Sequence, residues 1–503
     1  MKILFYLLSP LYEPHFGILF DEAERLRREG NEIHIIFCNG LFDVCVTNLS
    51  GDLAVCRACI AQTHKFVNKF SNNFYIHNIK NYFSNSIKYK KFNYNSVTDI
   101  KKIEYRGVKI GFACLSTYIS ETRNLNPLID SKFKNYFDYL LLQSCILTDA
   151  INNAIDDIKP DLVCFFNSRF FDSRPIFDAA RKKNINTQCY DASRDGNKIF
   201  IKQIFYNSTP HNIKNNTFYL NHYWDDPAVK NEEKIEIAND FFEKKRNNIG
   251  TNDEVYTKNQ KNWLIPTDFQ KNKQNIVIFN SSEDEYAAIG DEYDKLSLFK
   301  SQLEGLTYIF DTFKYNGNIN FYLRIHPNLA GINYKYHADL HLFQKKYNNV
   351  TVVSAEDKIS SYSLLDVAEK VIVFGSTIGV EASYWGKAVI LVSGASYYYL
   401  DICYKPKTPL ELVEMIRQKL EPKNKIDALK FAYFSMYKDP TKFYKYIDFT
   451  TRLVNFLGRK IYVVNYKKIL GSPSLFAIFR IIKREFLKIF SKKKFPVIPD
   501  REV

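Results

Sequence analysis

The chain is 503 residues long, enough for two large domains or about three of average size. With 25% charged and 46% hydrophobic residues it has an ordinary globular make-up, which excludes a wholly disordered, collagen-like or multi-span membrane chain. The formal net charge is +15, but residues 460–503 hold 11 Lys or Arg against 3 Asp or Glu, so +8 belongs to that tail and +7 to everything before it. The apolar run Lys2 to Leu8 reads as a buried strand, because it is too short for a signal sequence and breaks at Ser9 and Pro10. A loop from Leu11 to Gly17, a helical pattern from Ile18 to Glu29, Gly30 as helix stop and a strand from Glu32 to Phe37 complete a β-loop-α-β unit. The Asn-, Lys- and Tyr-rich stretch from Phe66 to Lys102 reads as a solvated insertion.

Further along, a helix over 137–158 leads through Pro160 into a strand over 161–166, followed by a helix at 175–183 and a strand at 187–190. Such alternation predicts an α/β fold with a parallel sheet covered on both faces. The polar region 230–275 contains no apolar strand and reads as the domain boundary, with a first domain over 1–245 and a linker over 246–274. A second series of strands at 275–279, 320–324, 350–353, 370–374 and 388–392 makes a second domain over 275–445. The expected architecture is two Rossmann-like domains facing a cleft, with ligands at the carboxyl ends of the strands.

The loops after those strands therefore carry the chemistry. After Phe374, Gly375 permits a tight turn, Ser376 or Thr377 caps the next helix over a phosphate site, and Glu381 sits one turn in, at the right distance for ribose hydroxyls. Arg324 and His326 emerge beside Pro327, where either would neutralise a phosphate. The segment Asn280 to Tyr286, with Ser281, Ser282 and Glu283, offers hydroxyls and acids to a sugar or a base, or simply caps a helix. No paired-aspartate metal motif stands out. Phosphate neutralisation then falls to protein groups and helix dipoles, with no cofactor required for transfer.

In this order the motifs Asn280 to Glu285, Leu323 to Pro327 and Val373 to Ala382 with Trp385 to Lys387 resemble bacterial capsule and surface-polysaccharide glycosyltransferases of the GT-B architecture. The resemblance extends more weakly to Asn167, Ser168 and Arg169, where Ser168 replaces a glycine, and to Asp191 within Tyr190 to Arg194. It implies a nucleotide-sugar donor, CMP- or UDP-linked, on the second domain and a glycan or glycolipid acceptor on the first. By it Arg324, His326, Ser376 and Thr377 meet the donor phosphate and Glu381 the ribose, while Asn167, Arg169 and Asp191 lie on the acceptor side. Glu13 and His15, in the loop after the first strand, are the candidates for the base that deprotonates the acceptor. Two alternatives stay open: a non-hydrolysing sugar-nucleotide epimerase, and a non-catalytic scaffold of a polysaccharide assembly complex.

Cys38, Cys45, Cys56 and Cys59 fall in one short stretch after the second strand, so four thiolates are candidates for a structural zinc, with unligated thiols as the alternative. Nine cysteines, an odd number in a large chain without a secretion signal, point to a reducing cytoplasm. At the other end, residues 474–495 place Leu475, Phe476, Phe479, Ile482, Phe486, Ile489 and Phe490 at helical spacing among Lys and Arg. An amphipathic basic helix of this kind predicts peripheral attachment to the anionic inner-membrane surface. No nucleic-acid-binding motif accompanies the charge, so nucleic acid is not an expected partner.

Overall fold

Apolar strands alternating with amphipathic helices form two parallel α/β units in the computed structural model of the chain. It describes residues 1–9, 15–42, 44–49, 51, 53–70, 72–84, 89, 91–195, 199–251, 257, 259–331, 335–436, 449–456 and 459–466. The first unit is built from Met1–Ser193 and Phe200–Pro210, the second from His211–Lys438.

The strands of the first unit are β1 (Lys2–Tyr6), β2 (Glu32–Phe37), β3 (Tyr75–Asn78), β4 (Leu162–Phe166), β5 (Asn186–Asp195) and β6 (Ile199–Tyr206), in sheet order β3-β2-β1-β4-β5-β6. β1 is the middle of the winding and pairs in parallel with β2 on one side and β4 on the other. Strand alternation sends Ile3 and Phe5 to one face, against Phe16, Leu19, Phe20 and Ala23 of the helix His15–Arg28. Leu4 and Tyr6 go to the other, against Leu147, Ile151 and Ile155 of the long helix Ser131–Ile158. The expected β-loop-α-β unit and the strand before Asn167 are therefore present. The stretch after Phe66 is more than an insertion, because Tyr75–Asn78 pairs with β2 as the edge strand. Its polar spelling hid it: a strand at a sheet edge needs only one apolar side.

In the second unit β7 (Gln274–Phe279), β8 (Ile319–Arg324), β9 (Val350–Val353), β10 (Lys370–Val373) and β11 (Ala388–Leu391) form an all-parallel sheet in the order β11-β10-β7-β8-β9. Counted within the unit this is 5-4-1-2-3, the same winding as the first five strands of the other sheet. Ile276 and Ile278 pack on Leu306, Ile309, Phe310 and Phe313 of the helix Gln302–Phe313. Val277 and Phe279 face the opposite core, which takes in Phe241 and Phe242. Those two phenylalanines lie on the helix Asn231–Arg246, which sequence placed in the first domain. Their burial, together with Phe242 stacked on Tyr384 at 3.8 Å, ties that helix to the second unit and moves the boundary from 246–274 to the neighbourhood of residue 210.

Near the carboxyl terminus, in the region 446–503 whose sequence reads as helices and a basic tail, β12 (Phe449–Phe456) and β13 (Arg459–Tyr466) make an antiparallel hairpin instead. Val454 to Phe456 and Ile461 to Val464 are rich in β-branched and aromatic residues, which favours strands. The basic amphipathic segment 474–495 lies outside the described residues. Among the described residues no helix is long and apolar enough to cross a membrane.

One buried charge network fixes β6 against the first helix. Lys202 Nζ donates to Asp21 and Glu22 at 3.1 Å each, all three side chains being almost fully buried, and Tyr190 OH donates to Glu22 at 3.2 Å. Burial opposes the Glu22 charge, but hydrogen bonds and charge from Arg25 and Lys202 outweigh it and keep the carboxyl below its usual range. Lys202→Met removes the cation that Asp21 and Glu22 share, leaving Glu22 with Arg25, and should destabilise the unit by about 3–5 kcal/mol, read from urea unfolding at neutral pH. A loss below about 1 kcal/mol would remove this network from the account of the fold.

Candidate active site

In a sheet wound this way the loops after the two middle strands leave in opposite directions, and the gap between them is where ligands settle. In the second unit those are the loops after β7 and β10. A cavity of about 730 Å³ lies there, lined by Arg324, His326, Ser376, Thr377 and Glu381 as expected, and also by Asn280, Lys245, Thr251, Thr257 and Tyr362. Gly375 takes φ +88°, and a Cβ there would stand 2.8 Å from the Gly394 carbonyl oxygen, so only glycine lets β10 turn into the site.

Arg324 ends β8 and is almost completely buried. Its two terminal nitrogens donate to the backbone carbonyls of Ser354 and Asp357, while its Nε–H has no hydrogen-bond partner among the described residues. Burial lowers its pKa to about 10, which leaves it a cation at neutral pH. An unpaired buried donor costs roughly 1–3 kcal/mol, and here it belongs to a charged group at a cavity wall.

His326 differs from expectation. Asn328 donates its Nδ2–H to Glu285 at 3.0 Å, which turns its Oδ1 toward His326 Nδ1 at 2.7 Å. The backbone N–H of Asn328 also points at Nδ1, at 3.3 Å, so Asn328 holds the ring from two sides. Burial is the main reason that its pKa falls to about 4, so His326 is neutral and does not itself neutralise a phosphate. Its backbone N–H donates to Asn280 Oδ1 at 2.7 Å, which joins the loops after β7 and β8.

Ser281 and its neighbours turn inward instead of lining the cavity. Ser281 Oγ donates to the Phe374 carbonyl at 2.7 Å, its N–H donates to Gln302 Oε1 at 3.0 Å, and Ser282 Oγ donates to Asp284 at 3.0 Å. Glu283 accepts from the Gln302 N–H at 3.2 Å, and burial pushes its pKa up to about 7. The three residues brace the loop, and Asn280 is the member of this segment on the cavity wall. Glu381 is buried and accepts from Tyr362 OH, whose own side chain lines the same cavity.

The corresponding edge of the first unit gathers Asn167, Arg169 and Asp191. Asn167 Nδ2 donates to Asp191 Oδ2 at 2.8 Å, and Arg169 Nε donates to Ser116 Oγ at 2.6 Å while its charge acts on Asp191. Asn167 and Ser168 take φ 55° and 60°, the left-handed region that favours glycine. Asp191 is partly exposed, and burial of its surroundings pushes its pKa up to about 6. Glu13 lies outside the described residues. His15 opens the first helix, not the loop, and stacks on Phe166 at 3.6 Å. Burial lowers its pKa to about 3, too low for an effective base.

Cys38, Cys45, Cys56 and Cys59 do converge, on a second cavity of about 890 Å³ in the first unit. Cys45 lies 3.1 Å from Thr47 Oγ1, which is 3.2 Å from Ser9 Oγ, itself 3.5 Å from Cys59. Burial raises the Cys38 and Cys45 thiols above their ordinary range. Among the described residues no group of three or more His, Cys, Asp or Glu side chains is placed to hold a metal ion.

The loop geometry lies inside a recognisable sequence segment. Residues 228–407 match the capsule polysaccharide biosynthesis protein family. The matched segment begins just before the helix Asn231–Arg246 and contains every described residue of the cavity wall. No curated protein matches the chain. Among solved structures it is similar to a beta Kdo 2,4 transferase, KpsC, of Thermosulfurimonas dismutans, at 12% identity and TM-score 0.35 over 55% of this chain and 79% of that one. It is also similar to a UDP-GlcNAc 2-epimerase of Neisseria meningitidis (10%, TM-score 0.27, 86% and 98%) and to MurG of Acinetobacter baumannii (12%, TM-score 0.25, 88% and 97%). Likeness this distant says nothing about substrate.

Sequence reasoning missed Lys245, Thr251 and Thr257, because the linker reading took the polar stretch out of consideration, and Tyr362, which follows no strand directly. The raised Glu283 carboxyl gives a pH test. Its folded pKa lies above the unfolded value, so the folded form binds the extra proton between about pH 4.5 and 7, and its share of stability falls as pH rises through that window. Glu283→Gln should raise the melting temperature at pH 8 and lose that advantage by pH 5. Equal shifts at both pH values would show that Glu283 titrates normally.

Proposed function

We propose that the protein is a glycosyltransferase of capsule or related surface-polysaccharide synthesis, in which the second unit holds a nucleotide-sugar and the first unit receives a glycan or glycolipid acceptor. One observation carries the reading: inside the family-matched segment, a buried arginine whose Nε–H has no hydrogen-bond partner among the described residues lines a cavity at the topological switch point of the sheet. A nucleotide phosphate supplies the anionic acceptor that this group lacks. The Ser376 and Thr377 hydroxyls line the same wall, and the Glu381–Tyr362 pair stands where sugar hydroxyls can be gripped.

Transfer needs the departing phosphate stabilised and the acceptor hydroxyl deprotonated. Arg324 answers the first need without a metal cofactor. Asp191 answers the second better than Glu13 or His15, as a partly exposed carboxyl held by Asn167 with its pKa near neutrality. Attachment to an anionic membrane through segment 474–495 completes the proposal; removing 474–503 should abolish co-sedimentation with anionic vesicles.

Thermal-shift titration of the full chain with CMP, UDP, GDP and their sugars is the primary test. Stabilisation by one nucleotide class is expected, since a ligand that binds only the folded state raises its stability. His326→Ala should weaken that shift while leaving the ligand-free melting temperature close to wild type. Response to none would remove the donor reading. Once the donor is known, Asp191→Asn should lower kcat by roughly 10²–10⁴-fold, and wild-type kcat should rise with pH through about 6, where Asp191 loses its proton. An unchanged kcat in the variant would exclude Asp191 as the base.

A further inference from the structure

The helix Asn231–Arg246 ends in three consecutive basic residues, Lys244, Lys245 and Arg246, and they have different surroundings. Lys244 pairs with Asp240 at 2.5 Å on the helix surface. Arg246 pairs with Asp366 at 2.6 Å and lies over the rings of Trp385 and Tyr362 at 4.7 and 5.5 Å. Lys245 lines the cavity that holds Arg324, His326, Ser376 and Glu381. Its ammonium stands 5.4 Å from the Phe241 ring centroid, one helical turn earlier, so that its stem is steered by a buried aromatic.

An anion in this cavity meets few cations among the described lining residues. Burial keeps His326 neutral. Arg324 spends one N–H of each terminal nitrogen on a backbone carbonyl, and its Nε–H has no hydrogen-bond partner among the described residues. The carboxyl of Glu381 is shared with Tyr362. A phosphate carries its charge on several oxygens and is held best by more than one cation, and among the described lining residues Lys245 is the other one.

We infer that Lys245 is a donor-binding residue that contacts the phosphate of the nucleotide together with Arg324. The inference rests on the donor reading above and deepens it. The family-matched segment begins before this helix, yet the helix belongs to no strand-end loop, so it adds a contact from outside the sheet edge. Arg324 is fixed by buried bonds and Lys245 is a flexible point charge. The pair combines a rigid donor that sets the phosphate position with an adaptable one that follows it as charge develops.

Isothermal titration of the full chain with CMP, UDP and GDP at two salt concentrations tests this, using wild type, Lys245→Ala, Lys245→Arg and, as control, Lys244→Ala. Lys245→Ala should weaken the bound nucleotide about tenfold, the loss expected for one charge-assisted contact, and should flatten the salt dependence. Lys245→Arg should recover part of the affinity, Lys244→Ala should bind as wild type, and all variants should melt as wild type without ligand. Lys245→Ala binding within twofold of wild type, while wild type binds well, would overturn the Lys245 assignment alone. Wild type binding none of the nucleotides would overturn both the assignment and the donor reading.

Discussion

Burying a parallel sheet on both faces is the constraint from which the rest of this molecule follows. Once Ile3 and Phe5 face one layer of helices and Leu4 and Tyr6 the other, the sheet has no surface left for chemistry except its ends. The same holds in the second unit for Ile276 and Ile278 against Val277 and Phe279. Side chains leaving the carboxyl ends must either be satisfied by neighbouring loops or meet a ligand. The candidate active site is the place where one of them, Arg324, is satisfied only in part.

That constraint also explains why the loops at the second unit's edge are so heavily cross-bonded. Ser281 reaches the carbonyl of Phe374, Asn280 takes the N–H of His326, and Tyr397 OH donates to the carbonyl of Ser376. Each bond joins loops from different strands. Several polar residues that look like ligand contacts are spent on holding the loops in register, which keeps the remaining groups in one place. Positioning and binding draw on the same residue types, and only the three-dimensional partner distinguishes them.

The strands were legible in the sequence wherever both faces are buried, because Ile3 to Leu8 and Ile276 to Phe279 are spelled in continuous apolar runs. Edge strand Tyr75–Asn78 was not, since its partner lies on one side only and its residues are polar. The helix Asn231–Arg246 was assigned to the wrong unit for a similar reason: Phe241 and Phe242 are two apolar residues in a charged stretch, and a pair says where a helix is buried only once its partner surface is known. Strand-end logic found Arg324, His326, Ser376, Thr377 and Glu381, all of which line one cavity. It could not find Lys245, which arrives from a helix end, nor foresee that Ser281, Ser282 and Glu283 turn inward.

Protonation was the least legible property. A histidine beside an arginine at a strand end reads as a second cation, yet the same burial that makes the site selective removes that charge. Desolvation penalises the ionised form of His326, whose ring Asn328, itself oriented by Glu285, holds at Nδ1. The identical force acts on Asp191 and Glu283 with the opposite consequence, raising their pKa into the range where a carboxyl can exchange protons at neutral pH. Burial thus sorts the ionisable groups of the two units into a cation at Arg324, a neutral ring at His326 and titratable acids at Asp191 and Glu283. On the proposed reading a phosphate is met by groups that survive this sorting as cations, so arginine and lysine, rather than the histidine that first marks the site, would supply its positive charge.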